Sequence, residues 1–391
     1  MKIALICPHF PPDHCGVGDY SAHVAREFVA QGHDVMVWTA QAVPQPVAGV
    51  RIRTLPYPWN LRTYLDLTRQ MKTFGPDFIS IQYTPYLYGA RTVGIHPAFS
   101  IWFNLLPFVF STHKTRIAIT FHELHYPIFG LHWDRVLIGL PQFLQYLQLL
   151  LRAPQVFFTS EVNFRRYSRI FSWRAEKFCW LPVGPGIDPR HLNHIVRDED
   201  FRDLLRQSGI PNRHKILIQF GIAHPTRLFA HSIRAIDAIR KKLGPDSVSI
   251  AFLGIDQKSV EAELEKAGRM DLRLQVRGLG YLAPWQISLW MRRADLVLAP
   301  YLDGVSTRRS SVITAYAHGK AVLTTSGYFT DPGVDWSRFC VAVPAADIDT
   351  FATQACELIT QKEKIELLSQ SASNQCAEFF AWPVLAKKMI T

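Results

Sequence analysis

Four short stretches of the chain carry residue types that bind anions or sugars, each where an apolar β run gives way to other structure. The first is PPDHCGVGDYS, Pro11 to Ser21, directly after KIALIC, with Gly16 and Gly18 just ahead of a helical pattern. The first amides of a helix lack internal partners and carry partial positive charge, so a phosphate or another anion fits against them. A tight turn with no ligand is the other reading. The G-x-G-x-x-G spacing of a dinucleotide loop is missing, which argues against a dehydrogenase. In the second, RIAITFHELHYP, His122 and Glu123 follow a strand; His122 is either structural or a partner for a sugar hydroxyl or phosphate near neutral pH. The third, GIAHPTR, offers His224 and Arg227 ahead of a helix. A guanidinium presents a planar fork of donors that suits a diphosphate; a solvated first-turn arginine is the alternative. The fourth, APYLDGVSTRRSSVITAYAHGKAVLTT, sets Arg308 and Arg309 before Ser310 and Ser311, at the start of a helix expected to run to His318. Its plainer reading is a surface loop with two solvated arginines. Taken together, Arg227, Arg308 or Arg309, and the amides at Ser310 make a diphosphate site that requires no metal. The spacing of His and Cys gives no zinc site, and the acidic run Asp198 to Asp200 lies in a linker.

These loops need a scaffold that gathers strand ends. In the first half, KIALIC, HDVMVWT, VRIRTL, DFISIQY, RIAITF, QVFFT and KFCWLPV read as buried strands separated by helical stretches. Between the first two, Tyr20, Val24 and Phe28 share one helical face, Asp19 is placed to cap the start and Gly32 to close the end. The second half repeats the pattern with KILIQF, VSIAFLG, LRLQV, DLVLAP and AVLTTS, and with a helix over LFAHSIRAIDAIRKKLG. A Pro-, Gly- and charge-rich linker is expected around residues 183–205. The expectation is two α/β domains, each a doubly wound parallel sheet, with ligands beyond the carboxyl ends of the strands.

The length of 391 residues suits two such domains. Net charge is +11, and residues 1–190 hold 18 Lys and Arg against 11 Asp and Glu. A positive surface attracts phosphates, anionic membrane included, although an ordinary soluble basic surface reads the same way. No nucleic-acid motif is found, so nucleic acid is not expected as a partner. The six cysteines are scattered without a C-x-x-C, and only five apolar residues follow Lys2, too few for a secretory signal; a reduced cytoplasmic protein is expected. RVLIGLPQFLQYLQLLLRAP, Arg135 to Pro154, is broken by Pro141, Gln142, Gln145 and Gln148 and does not span a bilayer. Its glutamines make one narrow polar stripe, so it reads as a buried or interfacial helix, as does the aromatic stretch HPAFSIWFNLLPFVF.

Six motifs in order resemble a known family. The chain is similar to glycosyltransferases of the GT-B fold, in particular the retaining family-4 or group 1 enzymes. The opening loop through HDVMVWT, ITFHELHYP, LPVGPGID, GIAHPTR, GLGYL and TAYAHGKAVLTT each resemble a family motif, over nearly the whole chain. The resemblance implies two Rossmann-like domains facing a cleft: 1–190 for the acceptor, 191–378 for the nucleotide-sugar donor, and 379–391 crossing back to the first. It implies catalytic roles for His122, Asp19 and Asp303. It implies donor contacts from Gly16, Gly18, His224, Arg227, Tyr281, Leu282, Ser306, Arg308, Arg309, Ser310, Ser311 and Thr314, and acceptor contacts from Tyr20 and Glu123. GLGYL resembles the nucleobase loop, and Arg227 stands at the family's donor-binding lysine.

The chain departs from the family at three places. The paired glutamates of the last motif fall on Ser306 and Thr314, which leaves Asp303 as the nearest carboxylate, and a family arginine is replaced by Ile222. Arg308 and Arg309 are expected to supply that charge. The implied reaction moves a hexose-type sugar from a nucleotide-diphosphate sugar to a saccharide or lipid-diphosphate-linked acceptor. Retention by front-face attack is expected, with no cofactor or metal, because no carboxylate nucleophile is evident. The enzyme is expected in the cytoplasm, either free or peripheral on the inner face of an anionic membrane. The alternatives are a catalytically impaired relative that binds nucleotide or a partner, and a sugar-nucleotide epimerase.

Overall fold

The structure, a computed structural model, describes residues 1–13, 15–40, 47–89, 94–111, 114–125, 133–192 and 198–391. Residue 14 of the opening loop and residues 193–197 of the expected linker lie outside the described residues. The chain divides into two units, Met1–Pro182 with Trp382–Thr391, and Val183–Ala381.

Unit 1 runs β1 (Lys2–Ile6), α1 (Gly16–Ala30), β2 (Asp34–Thr39), β3 (Arg51–Thr54), α2 (Leu61–Phe74), β4 (Phe78–Tyr83), α3 (Pro97–Val109), β5 (Arg116–Phe121), α4 (Trp133–Arg152), β6 (Gln155–Phe158), α5 (Glu161–Ile170) and β7 (Phe178–Trp180). The strands form one parallel sheet in the order β3-β2-β1-β4-β5-β6-β7. All seven expected strands are present. The inner strands are apolar along most of their length because helices cover both faces, whereas the edge strand β3, Arg51–Thr54, is largely exposed. On one face, Ala4, Ile6, Trp38, Ile79, Ile81, Ile117 and Ile119 pack with Tyr64 and Leu67 of α2, Trp102 and Phe103 of α3, and Tyr146 and Leu149 of α4.

Helix α1 buries Tyr20, Val24 and Phe28 as its spacing predicts, and Gly32 closes it at φ 82°. Its start is corrected: the helix begins at Gly16 after Cys15, so Asp19 lies in the first turn rather than at the cap position.

Unit 2 runs α6 (Asp198–Ser208), β8 (Lys215–Phe220), α7 (Phe229–Leu243), β9 (Val248–Leu253), α8 (Gln257–Lys266), β10 (Val276–Gly278), α9 (Pro284–Arg293), β11 (Leu296–Ala299), α10 (Ser310–Ala317), β12 (Val322–Ser326), β13 (Val341–Pro344), α11 (Ile348–Thr360) and α12 (Lys362–Phe379). Its parallel sheet has the order β10-β9-β8-β11-β12-β13. Three expectations shift. LRLQV is mostly a turn, and its strand begins only at Val276. The linker ends earlier than expected, because α6 starts at Asp198. β13 was not anticipated: four residues ending in proline at a sheet edge give little signal.

The last helix, α13 (Trp382–Ile390), belongs to unit 1. Trp382 stacks on His23 with ring centres 5.0 Å apart, and the Arg116 guanidinium donates to the carbonyl of Ile390. All six cysteines are free. No described helix is long and apolar enough to cross a membrane.

Candidate functional site

In unit 2 the strand order reverses between β8 and β11, and the loops following those two strands flank the reversal. A crevice opens beyond the sheet at such a point because successive crossovers leave in opposite directions. Here the loops are laced together: Leu228 N–H donates to Pro300 O, Leu302 N–H donates to Thr226 O at 2.7 Å, and Arg227 bridges antiparallel to Tyr301. Glycine sets how closely neighbouring loops pack. A Cβ on Gly254 would come within 3.0 Å of the Gly221 backbone, and one on Gly304 within 2.4 Å of the Gly327 nitrogen. Gly221, at φ 116°, carries the Arg227 guanidinium where a side chain would stand: a Cβ would meet Nη2 at 2.1 Å.

Three of the sequence-predicted arginines come together on this edge. Asp303 is 2% exposed, and its two oxygens accept separately, from Arg308 Nη2 at 2.7 Å and from Arg309 Nη2. The guanidinium of Arg309 lies 4.1 Å from the centre of the Tyr301 ring and that of Arg227 lies 5.3 Å from the same centre; Arg308 covers Phe329 at 4.2 Å. Tyr301 in turn shares a hydrogen bond with Ser311 Oγ at 2.9 Å. Among the described residues, Arg227 has no carboxylate partner. Asp303 thus anchors Arg308 and Arg309, and Arg227 shares the Tyr301 ring with Arg309, next to the first turn of α10, whose Ser310 and Ser311 amides have no helical acceptor. Excess positive charge, rigid donor forks and a helix start are the requirements of a diphosphate site.

Other predicted residues do different work. Asp303, expected as catalytic, is buried with both oxygens taken, so it holds Arg308 and Arg309 in place rather than presenting a free carboxylate. Thr314 is wholly buried; its hydroxyl donates to Ser310 O at 2.8 Å and accepts from Ile187 N–H at 3.2 Å. It fastens the Val183–Asp188 segment to α10 and has no surface left for a ribose. Ser306 is buried as well. Both positions that match the family glutamates are therefore closed. His224 is exposed, with Nδ1 held by the Thr226 hydroxyl at 2.8 Å. Tyr281 is exposed and Leu282 half-buried in the loop after β10, which reaches Gly254 through the bond from Gly254 N–H to Gly280 O.

In unit 1, His122 lies at the end of β5. Its Nε2 pairs with Gln82 Oε1 at 2.9 Å, and Gln82 Nε2 donates to Ser80 Oγ at 3.0 Å. That orientation makes Gln82 Oε1 an acceptor, so His122 carries its proton on Nε2 and keeps the Nδ1 lone pair. Burial pushes the imidazole pKa down to about 3, so it stays neutral across the physiological range. A neutral imidazole of this tautomer accepts a hydrogen bond from a sugar hydroxyl.

The opening loop divides. Gly18 is required by packing, since a Cβ there would come within 2.4 Å of His9 O; a Cβ on Gly16 would meet nothing within 4 Å. Asp19 and Glu123 are exposed. Tyr20 corrects an expectation: it is buried against His122 and Trp382, ring centres 4.6 and 5.1 Å away, and its hydroxyl reaches Met389 Sδ, so it supports His122 from within. Gln82 and Tyr301 were missed. Each left a trace, a polar residue inside the apolar strand FISIQY and an aromatic two residues past DLVLA.

Residues 15–184 match the model of the glycosyl transferase 4-like domain, and residues 215–361 match that of the glycosyl transferases group 1. The chain carries two glycosyltransferase domains, a glycosyl transferase 4-like domain followed by a glycosyl transferases group 1 domain, which together span most of its length. No curated protein matches this glycosyltransferase in sequence. Solved structures match it along its whole length. WaaG, a glycosyltransferase involved in lipopolysaccharide biosynthesis, is 15% identical, with a TM-score of 0.68, covering 100% of this chain and 99% of that one. Sucrose-phosphate synthase from Thermosynechococcus elongatus is 15% identical, with a TM-score of 0.71, covering 100% and 97%. HepE of Anabaena, in complex with UDP-glucose, is 16% identical, with a TM-score of 0.64, covering 100% and 98%. The fold of the glycosyltransferase is GT-B, with parallel sheets of seven and six strands.

Proposed function

We propose that the protein transfers a hexose-type sugar from a nucleoside-diphosphate sugar to a saccharide or lipid-diphosphate-linked saccharide, with retention and without a metal ion. The arginine cluster at the β8/β11 reversal carries this reading, and the UDP-glucose complex of the HepE neighbour supports it. The donor diphosphate lies against Arg227, Arg309, Arg308 and the Ser310 and Ser311 amides. As the bond from the anomeric carbon to the diphosphate oxygen breaks, the electron pair passes to that oxygen, and these fixed donors stabilise the charge that develops. The acceptor hydroxyl forms its new bond to the same face of the anomeric carbon and gives its proton to the departing phosphate. The engagement of Asp303 favours this front-face course over a covalent carboxylate intermediate. Tyr281 and Leu282 flank the nucleobase, His122 takes a sugar hydroxyl on Nδ1, and Asp19, Glu123 and the Gly16 backbone border the acceptor. We propose that the reaction takes place in the cytoplasm, at the inner face of the membrane where the acceptor is lipid-linked.

The experiment is transfer from UDP-, GDP- and ADP-sugars to saccharide and lipid-linked acceptors, with the product's anomeric configuration read by NMR. A retained linkage, formed with a chelator present, is the expected result; inversion, or transfer lost on chelation, contradicts the proposal. The loss of both family glutamates, with Ser306 and Thr314 buried in their places, motivates one second reading, a relative without transferase activity that still binds nucleotide through the arginine cluster. Tight nucleotide binding with neither transfer nor donor hydrolysis would select it.

A further inference from the structure

Helix α4 is apolar on both sides: Tyr146, Leu149 and Leu150 pack toward the sheet, and leucines also line its outer side. Its glutamine stripe faces inward: Gln142 donates to the Tyr86 hydroxyl at 3.1 Å, Gln145 accepts from His96 N–H at 2.7 Å, and Gln148 donates to Asn104 at 2.8 Å. Leu137, Leu140 and Leu144 are left in solvent, Leu137 with 71% of its surface exposed. The neighbouring helices repeat the arrangement. α3 buries Phe99, Trp102 and Phe103 and exposes Ile101, Leu105 and Phe108, the last at 76%; it has no charged residue. α2 exposes Leu61 and Leu65. α3 lies between the other two, tied to α4 through Asn104 and to α2 by Trp102 Nε1 donating to Thr68 at 2.9 Å. Leu61, Leu65 and Leu105 line one shallow apolar groove of about 90 Å³. All three helices cover the same face of the sheet, so their outer sides point away from it together.

We propose that this α2–α3–α4 face docks on an anionic lipid bilayer. A soluble helix keeps its polar stripe outward, and three adjacent helices with leucines and a phenylalanine outward call for an apolar medium. Charge selects which one. Arg62, Lys72 and Arg152 on these helices, and Lys114 beyond α3, have no ion-pair partner among the described residues. The acid with a described side chain on the three helices is Asp66, already paired with Arg69. Such a rim attracts acidic headgroups while the leucines enter the acyl boundary. A second copy is disfavoured, because a two-fold interface would set this basic rim against its own image. The inference rests on this surface alone and stands apart from the transfer reaction.

The test is co-flotation of the full chain with vesicles of phosphatidylcholine, with and without phosphatidylglycerol. The wild type is expected to float with the anionic vesicles and to be weakened by salt. Phe108→Glu and Leu137→Glu are each expected to reduce binding about tenfold while thermal unfolding is unchanged, since both sites are solvated. Arg62→Ser with Lys72→Ser is expected to reduce binding to anionic vesicles and its salt dependence together. No flotation of the wild type, or flotation unaffected by the Glu variants, overturns the proposal. So does self-association through this face in sedimentation without vesicle binding.

Discussion

His122 keeps one nitrogen for chemistry because Gln82 takes the other. Replacing Gln82 with Glu sets a carboxylate on the Nε2 proton and stabilises the imidazolium, so His122 is expected to titrate closer to neutrality. The wild-type profile of kcat against pH should lack an inflection from this group above about pH 5; Gln82→Glu should introduce one, and an unchanged profile would show that His122 does not meet the substrate. The two glycines of the opening loop separate packing from function. Gly18→Ala must displace the His9 backbone and should cost about 1–3 kcal/mol in denaturant unfolding. Gly16→Ala meets no atom and should leave stability within about 0.5 kcal/mol. A fall in transfer rate for Gly16→Ala at unchanged stability would mark the loop as a substrate surface, and normal turnover would make it a turn only. At this scale the sequence was legible for ligand type and less so for partners. The three arginines and the α10 start could be picked out because charge beside a buried strand end is conspicuous. That Asp303 and Thr314 are spent inside the protein could not, because their partners Arg308, Arg309 and Ile187 meet them only through loop geometry.

At the scale of elements, the diphosphate site depends on two loops held in register by glycine. Gly221→Ala should expel the Arg227 guanidinium and strain a backbone at φ 116°, so donor affinity is expected to fall at least about tenfold. Calorimetric titration with the donor checks this, and Arg227→Ala should show a similar loss with less effect on stability. The strands were plain in the sequence: long apolar β-branched runs bounded by turn residues identified twelve of the thirteen, with β10 displaced toward its carboxyl end. The edge strand β13 was too short to stand out. Helix α4 shows the limit of periodicity. Its pattern correctly indicated one polar stripe, but a pattern does not say which side faces the sheet, and the glutamines point inward only because Tyr86, His96 and Asn104 wait there.

For the whole molecule, acid should be destabilising for a definite reason. His122 and His318 are held neutral by burial, with pKa values near 3 and 4, while an unfolded chain protonates its histidines near 6.5. Below about pH 6.5 the unfolded state binds protons that the folded state refuses, so stability falls as pH drops toward 4 and is flat above 7 for these groups. Urea midpoints measured across that range should follow this course, and His318→Gln should shallow the slope; a midpoint independent of pH would contradict it. The reading of the protein as a sugar-nucleotide transferase stands or falls on whether the Arg227–Arg309 cluster binds a diphosphate. Calorimetric titration of the wild type and Arg309→Ala with nucleoside diphosphates and the matching nucleosides decides this. One diphosphate is expected to bind while its nucleoside does not, with affinity lowered at least about tenfold in Arg309→Ala. Equal binding of nucleoside and diphosphate, or an affinity untouched by Arg309→Ala, would contradict the assignment.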